Sequence, residues 1–299
     1  MGTLEGKVAV VTGAGRGIGR AESLLLAREG AAVMVNDLGG QWDGTGKDDR
    51  PAQQVVDEIS GAGGRASANY EDISSWTGAQ GLVDQAIGEF GTLDILVNNA
   101  GILRDRMIFN MTEEDWDAVV AVHLRGHAAV SRAACGYWRE RSKAGDQVSG
   151  RIINTASESG LYGLRGQANY AAAKAAIAAL TQVTAREMKK YGVTANAIAP
   201  RARTRLITQT FGETVMAPPE EEGAFDQFAP ENVAPLVAYL AGDRSAHITG
   251  QVFLVAGGMV QLMKPWTAGP AIDKGERWAV DELADEIDKL FTELPSAIE

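Results

Sequence analysis

A tyrosine and a lysine four residues apart are the pair whose spacing in this 299-residue sequence most directly suggests chemistry. Tyr170 and Lys174 lie in an alanine-rich, helix-forming run, so their spacing places both side chains on one helix face. A phenol has a pKa near ~10 and is a poor base at neutral pH. A nearby ammonium favours the phenolate and lowers that pKa, so the pair predicts a general acid/base.

A hydroxyl donor for the same reaction lies thirteen residues before Tyr170. Ser157 follows the predicted strand Arg151–Thr155, and its hydroxyl can donate a hydrogen bond to a substrate oxygen while Tyr170 exchanges the proton. Ser159 is a rival for this role, and a serine after a strand is also a common turn residue. Together these residues predict a site that polarises and protonates an oxygen.

A glycine-rich turn follows the first predicted strand. Glycines at a strand-to-helix turn let the backbone approach a pyrophosphate, which then lies at the positive end of the helix. The spacing is G-x-x-x-G-x-G rather than the commoner G-x-G-x-x-G, and the residues expected to contact the dinucleotide are Gly13, Arg16, Gly17, Ile18 and Gly19.

Asp37 lies twenty residues past Gly17, at the end of the second predicted strand. A carboxylate at this position accepts hydrogen bonds from the adenosine ribose and repels a 2′-phosphate, which predicts NAD as the cofactor. Arg16 could instead pair with a 2′-phosphate, so NADP stays open. Asp37 could also be a turn residue before Gly39.

The segment Asn98, Asn99, Ala100 and Gly101 follows the predicted strand Ile95–Val97. A small, amide-rich segment there could approach an adenine ring and connect neighbouring strands by hydrogen bonds. Alone, it could equally be a turn.

Short β-branched runs alternate with longer helical ones along most of the chain. This alternation predicts an α/β fold, a doubly wound parallel sheet with helices on both faces. The predicted strands are Val8–Val11, Ala32–Asn36, Ala66–Asn69, Ile95–Val97, Arg151–Thr155, Thr194–Ala197 and Val252–Val255, and the longest predicted helices are Glu113–Arg139 and Asn169–Lys190. Residues 1–263 are expected to form this domain, and 264–299 a C-terminal helical extension that packs on the domain or on a partner subunit.

Composition excludes several classes of protein. The net charge of -11 repels polyanions, so we expect no nucleic-acid partner. No apolar run is long enough to cross a bilayer, and the polar start of the chain does not resemble a signal peptide. The single cysteine, Cys135, suits a reducing compartment, which predicts a cytoplasmic protein without a membrane partner. The three histidines show no metal-ligand spacing, so no metal site is expected.

Over residues 5–262 the sequence resembles the short-chain dehydrogenase/reductase family. The resemblance is carried by four motifs in order along the chain: T-G-x-x-x-G-x-G, N-N-A-G, Ser and Y-x-x-x-K. The resemblance implies a Rossmann fold with seven parallel strands, a nicotinamide cofactor and a homodimer or homotetramer. It makes Ser157, Tyr170 and Lys174 the catalytic residues, with Tyr170 and Lys174 also at the nicotinamide ribose. It further places Asp72 and Ile73 by the adenine and Pro200 near the nicotinamide.

Two residues depart from the family pattern. His123 takes the position of an asparagine that holds a water beside the lysine, and it is expected either to relay protons or to be a buried core histidine. Arg201 replaces the glycine that usually follows the proline, at the start of the predicted substrate lid, 201–229.

Further segments resemble one branch of the family, the (3R)-hydroxyacyl-CoA dehydrogenase part of multifunctional β-oxidation enzymes, which also acts on 17β-hydroxysteroids. The matching segments are Val35–Gly40, Asn98–Arg106, His123–Gly126 and Gly166–Tyr170. The branch implies NAD-dependent interconversion of a secondary alcohol and a ketone.

Three functions follow as hypotheses. The first is oxidation of a (3R)-hydroxyacyl-CoA, with its phosphates at Arg104, Arg106 or the cluster Arg201–Arg205. The second is a 17β-hydroxysteroid or another apolar cyclic alcohol, under a lid supplied by Met216, Phe225 and Phe228. The third is a non-catalytic dinucleotide-binding protein, which the intact Ser157, Tyr170 and Lys174 disfavour.

Overall fold

A computed structural model describes residues 2–212, 214, 216–221, 223–264 and 266–291 of the chain. The last eight residues of the predicted C-terminal extension, 292–299, therefore lie outside the described residues. Contacts between Cα atoms divide the chain into two units, Met1–Met263 and Lys264–Glu299.

The apolar runs form one eight-stranded sheet with the order β3-β2-β1-β4-β5-β6-β7-β8. Neighbouring strands from β3 to β7 are parallel. The strands are β1 Val8–Thr12, β2 Ala32–Asn36, β3 Arg65–Asn69, β4 Ile95–Asn98, β5 Gly150–Thr155, β6 Val193–Arg201, β7 Val252–Ala256 and β8 Met259–Met263.

The prediction of a doubly wound sheet is confirmed, but the count of seven strands is wrong by one. The eighth strand, β8, pairs antiparallel with β7, and Ala256 faces Met259 across a two-residue turn that begins with Gly257. Gly257 has a φ of 53°, which suits the tight turns that connect hairpins. Because most of β8 is exposed, its sequence lacks the buried pattern that marks the other strands.

Helices cover both faces of the sheet. They are α1 Gly17–Arg28, α2 Arg50–Gly61, α3 Trp76–Phe90, α4 Glu113–Val120, α5 Gly126–Lys143, α6 Glu158–Tyr162, α7 Ala168–Met188, α8 Arg205–Phe211 and α9 Ala234–Ala241 in the first unit, and α10 Val280–Glu286 in the second. The predicted helix Glu113–Arg139 is interrupted by a π-helical turn, Ala121–Arg125, that carries His123.

The two largest buried clusters of the described residues lie one on each face of the sheet. Successive residues of a strand point to opposite faces, so Val11 joins one cluster and its neighbour Val10 the other. The first cluster includes side chains of α1, α2 and α9, and the second includes side chains of α3, α5 and α7. Burial of each large apolar side chain contributes about 1.5–3 kcal/mol.

Strand order positions the site. The chain moves outward from β1 to β3 and then returns to the other side of β1 with β4. Ligands of such sheets bind at this switch point, beyond the carboxyl ends of the strands. The loops after β1, β2, β4, β5 and β6 all lie at that edge.

In the second unit, the predicted helix Trp278–Phe291 forms as α10 followed by a short 3₁₀ helix, Ile287–Leu290. The packing of this extension on the domain or on a partner stays a prediction.

Candidate active site

A cleft of about 770 Å³ opens at the carboxyl ends of the strands. This size is within the usual range for small-molecule and cofactor sites. Of the predicted site residues, Gly19 and Asn98 lie outside the cleft lining. The others line it: Gly13, Arg16, Gly17, Ile18, Asp37, Asp72, Ile73, Asn99, Ala100, Gly101, His123, Ser157, Tyr170, Lys174 and Pro200.

The glycine-rich turn between β1 and α1 is shaped for close backbone approach. Gly13 has a φ of 64°, and a Cβ there would lie 2.7 Å from the Cα of Ala100. Helix α1 begins at Gly17 without a side-chain cap and without an acidic residue in its first turn. Its first N–H groups and the positive end of the helix dipole are therefore left for an anion, which fits a pyrophosphate.

Asp37 lies directly after β2 and closes the same end of the cleft. One carboxylate oxygen accepts a hydrogen bond from the Gly15 N–H at 2.8 Å, and the other accepts from the Gly39 N–H at 2.6 Å. Each oxygen keeps a further lone pair, so the carboxylate can still accept from a ribose hydroxyl.

The two asparagines after β4 have different surroundings. The Asn99 amide donates to the carbonyls of Thr12 and Gly13, at 3.0 and 3.1 Å, which connects this segment to the glycine turn. Asn98 is fully buried and donates to Asn154 Oδ1 and to Ser131 Oγ, at 2.9 and 3.0 Å. Asn98 therefore connects β4, β5 and α5 behind the cleft rather than lining it.

Helix α7 brings Tyr170 and Lys174 to the floor of the cleft. The Lys174 ammonium lies 5.5 Å from the centre of the Tyr170 ring and donates to the Thr155 carbonyl at 2.5 Å. Ser157 is the N-cap of α6, and its hydroxyl is hydrogen-bonded to the Tyr170 phenol. The structure thus brings together the three residues that the sequence predicts as catalytic.

Burial controls the charges of this group. It raises the pKa of Tyr170 to about 12, with a smaller contribution from Asp105, while the Ser157 hydrogen bond lowers it. Burial also lowers the pKa of Lys174 to about 7. The sequence predicts that Lys174 lowers the pKa of the phenol, whereas burial raises it, so the phenol is protonated at neutral pH.

Comparison with known proteins gives the family. The sequence profile of the family described as short chain dehydrogenase matches residues 7–213. The chain belongs to the short-chain dehydrogenase family. Its members are oxidoreductases that act on a CH–OH group with a nicotinamide cofactor, so the substrate of this dehydrogenase is a small molecule.

Relatives and a solved structure agree with this membership. The chain is 52% identical over 268 residues to the hydroxyacyl-CoA dehydrogenase ChsB1 of Mycobacterium tuberculosis, covering 88% of this chain and 81% of that protein. It is 44% identical to the peroxisomal multifunctional enzyme type 2 of Mus musculus, covering 87% of this chain and 33% of that enzyme. The crystal structure of a short chain dehydrogenase from Mycobacterium avium has a TM-score of 0.86 at 50% identity, covering 97% of this chain and 96% of that chain.

His123 lies at the back of the cleft of this dehydrogenase, on the π-helical turn. Its Nε2 lies 2.8 Å from the Ile102 carbonyl, and its ring meets the Tyr170 ring edge-on with centres 5.1 Å apart. Burial and then the charge of Lys174 hold the pKa of His123 well below its usual range. The neutral ring meets both backbone groups of Ile102 through Nε2, the carbonyl at 2.8 Å and the N–H at 3.1 Å, and the buried Nδ1 has no hydrogen-bond partner within the described residues.

The His123 ring packs so closely against Gly101 that no side chain fits at position 101. A substitution at Gly101 therefore tests this packing. A Cβ at Gly101 would lie 2.3 Å from Cε1 of His123, and the buried ring cannot move without losing its bond to Ile102. We expect Gly101→Ala to lower the free energy of unfolding by about 1–3 kcal/mol, measured by urea denaturation. Gly61→Ala is the control, because nothing lies within 4 Å of a Cβ there.

Adding His123→Ala to Gly101→Ala should recover part of the loss, because the smaller side chain leaves room for the new methyl group. If Gly101→Ala were as stable as Gly61→Ala, the ring would not be held against the glycine as described.

The arginine cluster Arg201–Arg205 does not act as one phosphate site. Arg201 is paired with Glu158, and Arg203 with Asp226. The Arg205 guanidinium lies elsewhere, 3.5 Å from the Gly40 carbonyl, and Arg16 reaches the same carbonyl at 3.4 Å. Arg205 therefore adds a second guanidinium to the Asp37 end of the cleft.

Other groups hold the segment around Tyr170 in place, and the sequence does not predict them. The Asn169 side chain accepts from the Tyr170 N–H at 2.8 Å and donates to the carbonyls of Arg104 and Asp115. Gln167 donates to Asp105 at 2.8 Å. In the sequence, Gly166–Tyr170 carries only a resemblance to one branch of the family, and nothing in its spacing predicts these bonds.

In the described part of the chain, no helix is long and apolar enough to cross a membrane. Among the same residues, no group of three or more His, Cys, Asp or Glu side chains is placed to hold a metal ion.

Proposed function

We propose that this dehydrogenase interconverts a (3R)-hydroxyacyl-CoA and the corresponding 3-ketoacyl-CoA, with NAD as its cofactor. The observation that carries the proposal is the 52% identity to a hydroxyacyl-CoA dehydrogenase over most of both chains. The gathering of Ser157, Tyr170 and Lys174 at the floor of the cleft supports it.

The residues of the chain take distinct roles in this reaction. Ser157 donates a hydrogen bond to the substrate oxygen and so holds the reacting carbon in place. Tyr170 gives its proton to the oxygen when a ketone is reduced and takes the hydroxyl proton when an alcohol is oxidised. Lys174 in its protonated form supplies positive charge beside the phenol, and the neutral ring of His123 packs edge-on against the phenol ring. The relay of protons through His123 stays a prediction, because its low pKa disfavours the protonated ring.

The cleft fits a dinucleotide. The bound nicotinamide supplies the hydride acceptor or donor. The turn at Gly13 and Gly17 would hold the pyrophosphate together with Arg16, and Asp37 would hold the adenosine ribose. We place the adenine by Asp72 and Ile73, along Asn99, Ala100 and Gly101, and the nicotinamide by Pro200, Tyr170 and Lys174.

The choice of NAD over NADP is expected to depend on the charge of Asp37. Asp37→Asn keeps one side-chain oxygen but removes the negative charge, so a 2′-phosphate is no longer repelled, and Arg16 and Arg205 can attract it. We expect the ratio of kcat/KM for NADP to that for NAD to rise about a hundredfold, which corresponds to about 2.7 kcal/mol. The measurement is initial rates with each cofactor.

The melting temperature is measured alongside, because the Asp37 carboxylate also accepts from Gly15 and Gly39. An unchanged ratio in a folded Asp37→Asn protein would show that another group selects the cofactor.

A second candidate substrate is a 17β-hydroxysteroid or another apolar cyclic alcohol. Leu103, Leu164 and Met216 line the cleft, and they provide an apolar surface for a ring system. For the CoA thioester, Arg201 and Arg203 are engaged in ion pairs, and Arg205 lies at the Asp37 end of the cleft.

The test is NADH absorbance with purified protein, NAD and a panel of secondary alcohols. The panel contains a (3R)-hydroxyacyl-CoA, its (3S) epimer, 17β-estradiol and a small cyclic alcohol, with free CoA as a competitor. Turnover of the (3R) thioester, inhibited by free CoA, is the expected result. Turnover of the steroid alone would favour the second candidate, and absence of turnover across the panel would contradict both.

We also propose that the protein is a homodimer or homotetramer. Met259, Val260 and Leu262 on the edge strand β8 are exposed apolar residues of the kind that associating surfaces bury. Light scattering after gel filtration tests this, and a monomer would contradict it. The cytoplasmic location stays a prediction, and the mouse relative is named as peroxisomal.

A further inference from the structure

Arg201 and Glu158 form an ion pair at the rim of the cleft. Nε of Arg201 donates to Oε2 of Glu158 at 2.9 Å, and Nη2 donates to Oε1 at 2.5 Å. Two parallel hydrogen bonds give a guanidinium and a carboxylate a defined relative orientation. The Glu158 side chain is only 24% exposed, so the pair is partly shielded from water.

The pair lies beside the catalytic serine in sequence and in space. Glu158 follows Ser157 in the chain. Ser157 is the N-cap of the short helix α6, and its hydroxyl accepts a hydrogen bond from the Ser159 N–H at 3.2 Å. Ser157 is also hydrogen-bonded to the Tyr170 phenol. A movement of Glu158 therefore moves the serine hydroxyl relative to the phenol.

Arg201 anchors this turn to the neighbouring strand. Strands β5 and β6 are paired up to Thr155 and Ile198, and the Ala156 N–H still donates to the Ile198 carbonyl at 2.7 Å. Beyond this bond no further pairing of β5 with β6 occurs, and the Glu158–Arg201 ion pair connects the segments that follow. Arg201 is itself held in register by β7, opposite Ala256.

The pair also controls charge near the reacting oxygen. An unpaired carboxylate next to Ser157 would oppose negative charge on the phenol or the substrate oxygen. Among the described residues, the charged or titratable groups near the phenol are Lys174, Asp105 and His123, and the Tyr162 phenol acts on Arg201. Asp105 already opposes the phenolate, so a second free carboxylate would add to its effect.

We propose that Glu158 and Arg201 are a positioning pair that fixes the Ser157 turn against β6 and keeps the carboxylate next to Ser157 paired with a guanidinium. The inference rests on the proposed roles of Ser157 and Tyr170. By this proposal Arg201 affects the rate of the reaction rather than the binding of the substrate.

The test uses the full chain with whichever alcohol it oxidises, and compares Arg201→Gln, Glu158→Gln and the double variant. Arg201→Gln is expected to lower kcat about tenfold and to move the rising limb of the kcat–pH profile to higher pH, with the KM for the dinucleotide unchanged. Glu158→Gln removes the free carboxylate, so the double variant should recover the wild-type position of that limb while kcat stays low. Arg201→Lys keeps the positive charge, so the rising limb of its kcat–pH profile should lie at the same pH as in the wild type.

Several results would overturn the proposal. Wild-type kcat and pH profile in Arg201→Gln would show that the pair positions nothing. A higher KM for the alcohol alone in Arg201→Gln, with Glu158→Gln unaffected, would make Arg201 a substrate-binding residue. Thermal melts of each variant show whether it is folded. Tyr170→Phe tests the proposed function separately. If Tyr170→Phe stays active while Arg201→Gln is slowed, the phenol is not the acid/base of the reaction.

Discussion

Tyr170→Phe is expected to lower kcat by about 10³-fold, because it removes the hydroxyl that we propose exchanges a proton with the substrate oxygen. The phenylalanine ring keeps the packing against His123 and Lys174, so the fold should be retained. Initial rates by NADH absorbance measure the loss, and NADH fluorescence measures whether the dinucleotide still binds.

The same phenol predicts how the rate depends on pH. Its pKa is raised to about 12 by burial, so the protonated form needed for ketone reduction is present at neutral pH. Alcohol oxidation needs the phenolate, and its rate should therefore rise toward alkaline pH. Tyr239→Phe, at an exposed tyrosine on α9, is the control and should change neither rate. A Tyr170→Phe protein with nearly full turnover would remove the proposed mechanism.

Glu22→Met is expected to stabilise the protein by about 3 kcal/mol at pH 7. Glu22 lies in α1, is fully buried, and neither of its carboxylate oxygens has a hydrogen-bond partner in the described part of the chain. Burial raises its pKa from 4.5 to about 8. Methionine has a similar volume and needs neither a proton nor a partner.

The sign of the pH dependence follows from the raised pKa. Below about pH 4.5 the carboxyl is protonated in both the folded and the unfolded state and costs no stability through ionisation. As the pH rises toward 8, the unfolded state ionises and the folded state does not, so the wild type loses stability across this window. Urea denaturation from pH 5 to 8.5 should show the gap between Glu22→Met and the wild type widening with pH.

Glu187→Met, at an exposed glutamate of α7, is the control and should show no such gap. A constant difference between Glu22→Met and the wild type at all pH values would mean that the buried carboxyl has a partner that keeps it charged.

Periodicity predicted the parts of the fold that bury apolar side chains. The seven parallel strands were predicted because residues such as Val10 and Val11 must be buried on both faces of the sheet. Strand β8 was missed because its residues are mostly exposed and so carry no such pattern. The π-helical turn was missed because a single wide turn does not disturb helical periodicity enough to be seen in sequence.

The sequence by itself determined the family, the sheet and the candidate catalytic residues. Each follows from a local pattern: the glycine turn and Tyr-x-x-x-Lys indicate the family and the candidate residues, and apolar periodicity indicates the sheet. Only the tertiary structure decided which of these residues meet. Asn98 lies behind the cleft, and the three arginines from 201 to 205 separate, one to Glu158, one to Asp226 and one to the Gly40 carbonyl. The burial that raises the pKa of Tyr170 is likewise a result of the tertiary structure. These outcomes depend on distances between residues far apart in the chain and on exclusion of water, and neither is encoded in local spacing.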